Sequence, residues 1–240
     1  MDVYAVKSVK ETVGADPYVG RGIIVGATPS GRSAVAYFIM GRSENSRNRI
    51  FELKPDGLYT KPYDESKVAD PSLIIYRAAC EVENNVIVTN GDQTDTIASA
   101  LASGGTFESA LATREFEPDA PNFTPRISAM ITYEGDTFSY KMSILKSADA
   151  EGTGCARFYF NYPARAGVGH FIHTYVGNGS PLPSFQGEPE RIGIPEDARA
   201  FAEDVWNALD SDNKISLYVC FTGEGEDEII VINKNEGAEK

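Results

Sequence analysis

The strongest constraint on the fold is that most strands arrive as hairpins, two runs of β-branched and aromatic residues joined by a short turn. "RGIIVGATPSGRSAVAYFIMGR" reads as two strands around a turn near residues 28–32. "SLIIYRAACEV" and "NNVIVTNG" form a second pair, separated by Asn84-Asn85. "PRISAMITYEGDTFSYKMSILK" is a hairpin turning at Glu134-Gly135-Asp136, and "KISLYVCFTGEGEDEIIVIN" is another over an acidic turn. "CARFYFNY" and "GHFIHTYVG" are further strands. Helical patterns are fewer. One covers roughly 93–102, stopped by Ser103-Gly104-Gly105, and one roughly 106–114, with Thr106 as N-cap. The clearest is "PEDARAFAEDVWNAL", where Pro195 sits near the start and Ala198, Phe201, Ala202, Val205 and Leu209 form an apolar stripe. Strands arriving as hairpins, with helices in two clusters, predict an α+β domain of antiparallel sheets covered by helices, not a βαβ repeat.

With 240 residues, 42% of them hydrophobic, the chain suits one large domain or two small ones with a sizeable core. Its net charge of −13 argues against general binding to nucleic acid or to an anionic membrane, either of which needs a basic footprint. A local basic pocket for one small anion stays open. Cys80, Cys155 and Cys220 are far apart, with no CxxC pair. They read as reduced and buried thiols rather than a disulfide framework or a zinc site. The N-terminal segment has no signal-peptide pattern, and no apolar run reaches ~18 residues, so the chain reads as cytoplasmic. Residues 177–195, rich in Pro and Gly, are long enough to be a binding loop or lid. The stretch after Asn233 reads as a mobile tail.

Four stretches could carry chemistry. "GRSENSRNR" (41–49) places Arg42, Arg47 and Arg49 among Asn and Ser residues, a cationic island in an acidic chain. Planar guanidinium forks suit phosphate, although a solvated loop with surface ion pairs explains the spacing slightly better. "VTNGDQTDTIASAL" (88–101) is a strand-to-helix corner loaded with Asn90, Asp92, Gln93, Thr94, Asp95 and Thr96. Capping by Asp92 or Thr94 uses one or two of these, which leaves a ligand-binding wall as an even alternative. "REFEPDAPNFTPRISAM" (114–130) sets Glu115, Glu117 and Asp119 before Asn122, Thr124 and Arg126. A carboxylate close to an arginine at a dry strand entrance could do acid–base work; ordinary ion pairs are the blander reading. In "GHFIHTYVG", His170 and His173 fall on opposite faces of a strand, so no metal is expected. No GxSxG, Walker A or GxGxxG motif is present.

In order along the chain, "GRGIIVG", "VAYFIMGRS" running to "NR", "IIY", "VTNGDQTDTI" and "FTPRISA" resemble the archaeal-type inosine monophosphate (IMP) cyclohydrolase family. That family has segments like GRxxxVG, RSxPNR, SNGxHTDTI and NTPRIAA. The likeness covers roughly 18–145, and "GHFIHTYVGNGSPLPSFQGEP" looks like the longer bacterial members. The resemblance implies a single domain over 1–240 with the four-layer αββα sandwich of N-terminal-nucleophile hydrolases, here without the nucleophile. It implies closure of the second purine ring of a formamidoimidazole-carboxamide ribonucleotide, the last step of purine synthesis, with no cofactor. By residue, it implies Arg49, Tyr76 and Glu117 as the reacting groups. Asn90, Asp92, Thr94 and Asp95 would hold the base and ribose. Arg21, Arg42 and Arg126 are candidates for phosphate or structural pairing, with Arg47 an alternative to Arg49 because "RSENSRNR" is longer than the family segment. Asp92, Gln93 and Phe123 depart from the family pattern. The implied partner is a small ribonucleotide, and self-association is permitted by the sheet edges. A non-catalytic ribonucleotide-binding homologue and an amide hydrolase of the N-terminal-nucleophile type are the competing readings.

Overall fold

In the computed structural model, which describes residues 2, 4–68, 74–223 and 227–235, the hairpins assemble into two antiparallel sheets. The described elements are α1 (Val9–Thr12), β1 (Arg21–Ala27), β2 (Ser33–Met40), α2 (Glu44–Arg47), β3 (Ile50–Lys54), β4 (Gly57–Lys61), β5 (Tyr76–Val82), β6 (Asn85–Thr89), α3 (Gln93–Ala102) and α4 (Phe107–Leu111). They continue with β7 (Arg126–Glu134), β8 (Thr137–Ser147), β9 (Cys155–Pro163), β10 (Val168–His173), β11 (Glu190–Gly193), α5 (Ala198–Ala208), β12 (Lys214–Thr222) and β13 (Glu228–Asn233). One sheet runs β11-β10-β1-β2-β12-β13 and the other β3-β4-β5-β6-β7-β8-β9.

Alternation along the strands decides what each face meets, because successive side chains point to opposite sides. Ile23 and Val25 of β1 and Val35, Tyr37 and Ile39 of β2 share a core with Ile127, Ala129, Tyr140 and Met142 of the other sheet. The intervening Ile24, Ala36 and Phe38 pack instead against Phe201, Ala202 and Val205 of α5. The second sheet turns Ile87, Met130 and Leu145 outward onto Ile97, Ala98, Phe107 and Leu111 of α3 and α4. Both faces of β1 and β2 are therefore covered, which is why their sequences are continuously apolar. Burial of each Ile or Phe in these layers contributes about 1.5–3 kcal/mol.

Helix α3 begins at Gln93, and α4 is capped by the Thr106 side chain, which accepts from the Ser109 amide. Asp197 caps α5 by accepting from the Ala200 amide at 2.8 Å. Among the described residues no helix is long and apolar enough to cross a membrane.

Several expectations change. Strands β3 and β4 lie in a stretch with too few apolar positions to announce a hairpin, yet their register is continuous from Ile50–Lys61 to Lys54–Gly57. Strand β11 falls inside the Pro/Gly-rich stretch 177–195 and pairs with β10. Of the three free thiols only Cys80 is fully buried; Cys155 and Cys220 are half-buried. The start of the strand expected from Ser72 and the end of the expected tail, from 236, lie outside the described residues.

Candidate active site

Backbone strain opens the site. Gly20 holds φ +73°, and a Cβ there would sit 2.2 Å from Thr174 Oγ1, so only glycine delivers the chain into β1 at this point. Arg21 follows, with the parity of Ile23 and Val25, and so points between the sheets. Arg49 precedes β3 with the parity of Phe51, which also faces the inter-sheet core. Tyr76 begins β5, and Tyr37 lies midway along β2. The four side chains converge at one end of the sandwich.

Glu117 completes the group from the loop between α4 and β7. Its backbone amide donates to Thr124 O at 2.9 Å, folding the loop on itself. Asp119 accepts from the Thr124 amide at 2.6 Å and from its hydroxyl, and that hydroxyl also meets the Tyr175 hydroxyl. Asn122 Oδ1 accepts from the Leu182 amide at 3.0 Å, tying in the 174–189 segment. These ties carry Glu117 into the interior, where it is 4% exposed.

The result is a cleft of about 290 Å³, lined by Arg21, Arg49 and Glu117 at its inner end and by Arg42, Ser43 and Tyr18 among others toward its mouth. Arg21 Nη2 donates to both Glu117 oxygens, at 3.3 and 3.4 Å, longer than a tight charge-assisted bond. Among the described residues, no hydrogen bond joins the Arg49 side chain to a partner, and the buried Nε atoms of Arg21 and Arg49 both lack one. Two cations thus stand near one buried carboxylate at the inner end of the cleft. Burial opposes the charge of Arg49, and the neighbouring Arg21 adds to that effect. Burial opposes the charge of Arg21 too, but the Glu117 carboxylate beside it holds its pKa well above the ordinary value. Burial pushes the Glu117 carboxyl above its ordinary value, against the pull of Arg21 and Arg126. The Tyr76 hydroxyl lies 2.7 Å from that of Tyr37. Such an arrangement can bind an anion, polarise an oxygen, and take up and return a proton.

Arg42 reaches the same cleft at its mouth, where its guanidinium lies 5.1 Å from the Tyr18 ring centre and donates to Asn178 Oδ1 at 2.6 Å. The stretch expected to be a binding loop or lid lines the cleft through Leu182. Lys146 Nζ donates to Phe185 O at 2.7 Å and fixes it further.

The other expected ligand-binding residues lie outside the cleft lining. Asn90 is fully buried; it donates to Pro125 O at 2.9 Å and accepts from the Ile127 amide at 2.9 Å and from Gln93 Nε2 at 3.0 Å. Thr94 and Thr89 share a hydroxyl–hydroxyl bond of 2.7 Å. Asp92 occupies the N-cap position of α3 without capping it. It pairs instead with Arg114 and, at 2.8 Å, with Arg126, which also donates to Gln93 Oε1. Asp95 pairs with Arg77 at 2.6 Å. Arg47 donates to Gly41 O at 3.1 Å and to Asn213 Oδ1 at 3.2 Å, and of Arg47 and Arg49 it is Arg49 that lines the cleft. Arg126 faces the helix layer because it has the parity of Met130, opposite to that of Ile127. Phe123 packs edge-on to Phe116, with its backbone at φ +44°. The departures Asp92, Gln93 and Phe123 thus all sit off the cleft.

Tyr18, Tyr37 and Tyr175 were not anticipated as part of the site. Alternation along "SAVAYFIM" puts Tyr37 on the inter-sheet face, but nothing local places its hydroxyl beside Tyr76.

Comparison with known proteins gives a consistent picture. Residues 18–226 match the model of a family described as IMP cyclohydrolase-like protein. A protein named IMP cyclohydrolase from Methanopyrus kandleri is 32% identical over 147 residues, 56% of this chain and 72% of the relative. Proteins of the same name from Methanococcus aeolicus and Methanocaldococcus jannaschii are 32% and 29% identical; 48% of this chain matches 58% and 56% of their lengths.

Proposed function

We propose, from the premise that this chain belongs to the IMP cyclohydrolase-like protein family, that it closes the second ring of 5-formamidoimidazole-4-carboxamide ribonucleotide to give inosine monophosphate. The observation that carries this reading is the buried trio at the inner end of the cleft, two under-compensated arginines beside one carboxyl of raised proton affinity.

The reaction joins the carboxamide nitrogen to the formyl carbon of the same molecule and expels water. Holding those two groups in contact supplies much of the acceleration. Glu117, as carboxylate, takes a proton from the attacking nitrogen as the N–C bond forms. Arg49 and the Tyr76 hydroxyl stabilise the negative charge that develops on the former formyl oxygen. Glu117 then returns its proton to that oxygen, which leaves as water. The second proton of the water comes from the neighbouring nitrogen as it becomes doubly bonded to the closing carbon. Arg21 keeps Glu117 oriented, and Arg42 with Ser43 at the mouth receives the 5′-phosphate. The 88–101 corner and Arg126 act one layer further out, fixing the strand entrance behind the Glu117 loop. The layer order fits an αββα sandwich of the N-terminal-nucleophile hydrolase kind, working as one cytoplasmic domain.

The test is an ultraviolet assay of purified protein with the formamido ribonucleotide against a no-enzyme control. Accelerated appearance of inosine monophosphate is expected. Tight substrate binding without acceleration would instead make the chain a ribonucleotide-binding homologue.

A further inference from the structure

A second cavity, of about 470 Å³, lies where β9 of one sheet meets β10 and β11 of the other, and it shares no lining residue with the cleft. Its wall includes Arg165, Arg191, His170, Tyr4 and Tyr162. His170 is registered opposite Val25, four residues along β1 from Arg21, or about 13 Å at strand spacing.

The chemistry of this wall is unspent. The chain carries 35 acids against 22 bases, yet neither Arg165 nor Arg191 forms an ion pair with a described carboxylate. Arg191 instead lies 5.1 Å from the Tyr4 ring centre. His170 is 5% exposed and stacks on Tyr162 with ring centres 3.5 Å apart. Its Nδ1 lies 2.6 Å from the Tyr140 hydroxyl, while its buried Nε2 has no hydrogen-bond partner among the described residues. With the phenol as donor to Nδ1, the network assigns the ring hydrogen to Nε2, a donor lacking an acceptor. Burial, then the charges of Arg191 and Arg165, hold the imidazole pKa down to about 4, so it is neutral at physiological pH. The Tyr162 hydroxyl of this wall donates to the Glu188 carboxylate at 3.4 Å. The N-terminal segment that brings Tyr4 is pinned to β11, with Lys7 N donating to Arg191 O and Gly193 N to Lys7 O.

We propose that this cavity is a second ligand site, taking a phosphate monoester with an aromatic body. Arg165 and Arg191 hold the phosphate, Tyr4 and Tyr162 flank the ring, and His170 Nε2 donates one further hydrogen bond. The assignment is independent of the ring-closing reading, because it uses none of the cleft residues.

The chain has two histidines, so its imidazole NMR signals are simple to separate. Full-length protein labelled at histidine nitrogen would be titrated with phenyl phosphate, following His170. A saturable shift of the His170 signals is expected. Arg191→Ala and Arg165→Ala should each weaken it tenfold or more while leaving ring closure unchanged, and Arg49→Ala should leave it intact. Arg191→Lys should restore part of the affinity if the fold of Arg191→Ala is in question. Inorganic phosphate should bind more weakly than phenyl phosphate, and benzoate more weakly still. Absence of a saturable shift, an unchanged shift in both arginine variants, or benzoate binding as well as phenyl phosphate would overturn the proposal.

Discussion

The inner end of the cleft and the corner at 88–101 are built from the same materials with opposite results. Each sets arginines and a carboxylate beside a strand end. At the corner, Asn90, Gln93, Thr94, Asp92 and Arg126 satisfy one another or the backbone. In the cleft, the Nε atoms of Arg21 and Arg49 lack partners among the described residues, and Arg21 alone reaches the one carboxylate, at 3.3 Å. The carboxyl groups show the contrast. Desolvation raises both, but the Asp92 pKa is held below its ordinary value by Arg114 and Arg126, while that of Glu117 ends above its own. Density of polar residues therefore does not distinguish a site from a structural knot; the accounting of partners does.

The largest expected effect is at Glu117. Glu117→Gln keeps shape and removes proton transfer, so kcat should fall roughly 100- to 10,000-fold with little change in melting temperature. Unchanged turnover would remove Glu117 from the mechanism. The pH profile sharpens the same point. Because burial raises this pKa above 4.5, wild-type kcat/KM should fall about tenfold per pH unit below a midpoint that lies above 4.5. In stability the sign is opposite: a raised folded-state pKa favours the fold below pH 4.5, and that contribution is lost as pH rises through the folded value.

At the corner the effects should fall on stability instead. Asn90→Ala strands the Pro125 carbonyl and the Ile127 amide, at a cost of about 3 kcal/mol in denaturant unfolding. A loss of substrate affinity without loss of stability would break the comparison. Asp92→Ala should cost about 1 kcal/mol, the low end for a charged pair, because half of the Asp92 side chain meets solvent. Arg47→Ala should cost about 0.5 kcal/mol and leave kcat/KM within twofold, as expected of a half-exposed contact outside the cleft.

Much of the fold is legible locally. The β1–β2 and β7–β8 hairpins follow from runs of β-branched residues around turns, and α3 begins at the expected residue because the Asn-Gly turn ends β6 there. The β3–β4 hairpin is not legible, since Glu52, Lys54, Tyr59 and Lys61 line its half-exposed face and dilute the apolar alternation. In the site, the pairing of Glu117 with an arginine was foreshadowed in the 114–130 stretch, but its partner is Arg21 rather than nearby Arg126. Alternation explains this after the fact: Arg126 turns to the helix layer and Arg21 to the space between the sheets.

The chain alone announces most of the strands with their two-residue alternation, the helices α3, α4 and α5 with the Thr106 cap, and an acidic composition carrying a few concentrated arginines. Those are consequences of propensity and period, which act over a few residues. Long-range packing sets which arginines of 41–49 line the cleft, Arg42 and Arg49 but not Arg47, and brings Arg21, Arg49, Tyr76 and Glu117 together. It also decided that the polar corner at 88–101 is spent on itself. Strand order and sheet stacking join residues far apart in the chain, and whether a buried polar atom keeps a free valence depends on every neighbour that order supplies.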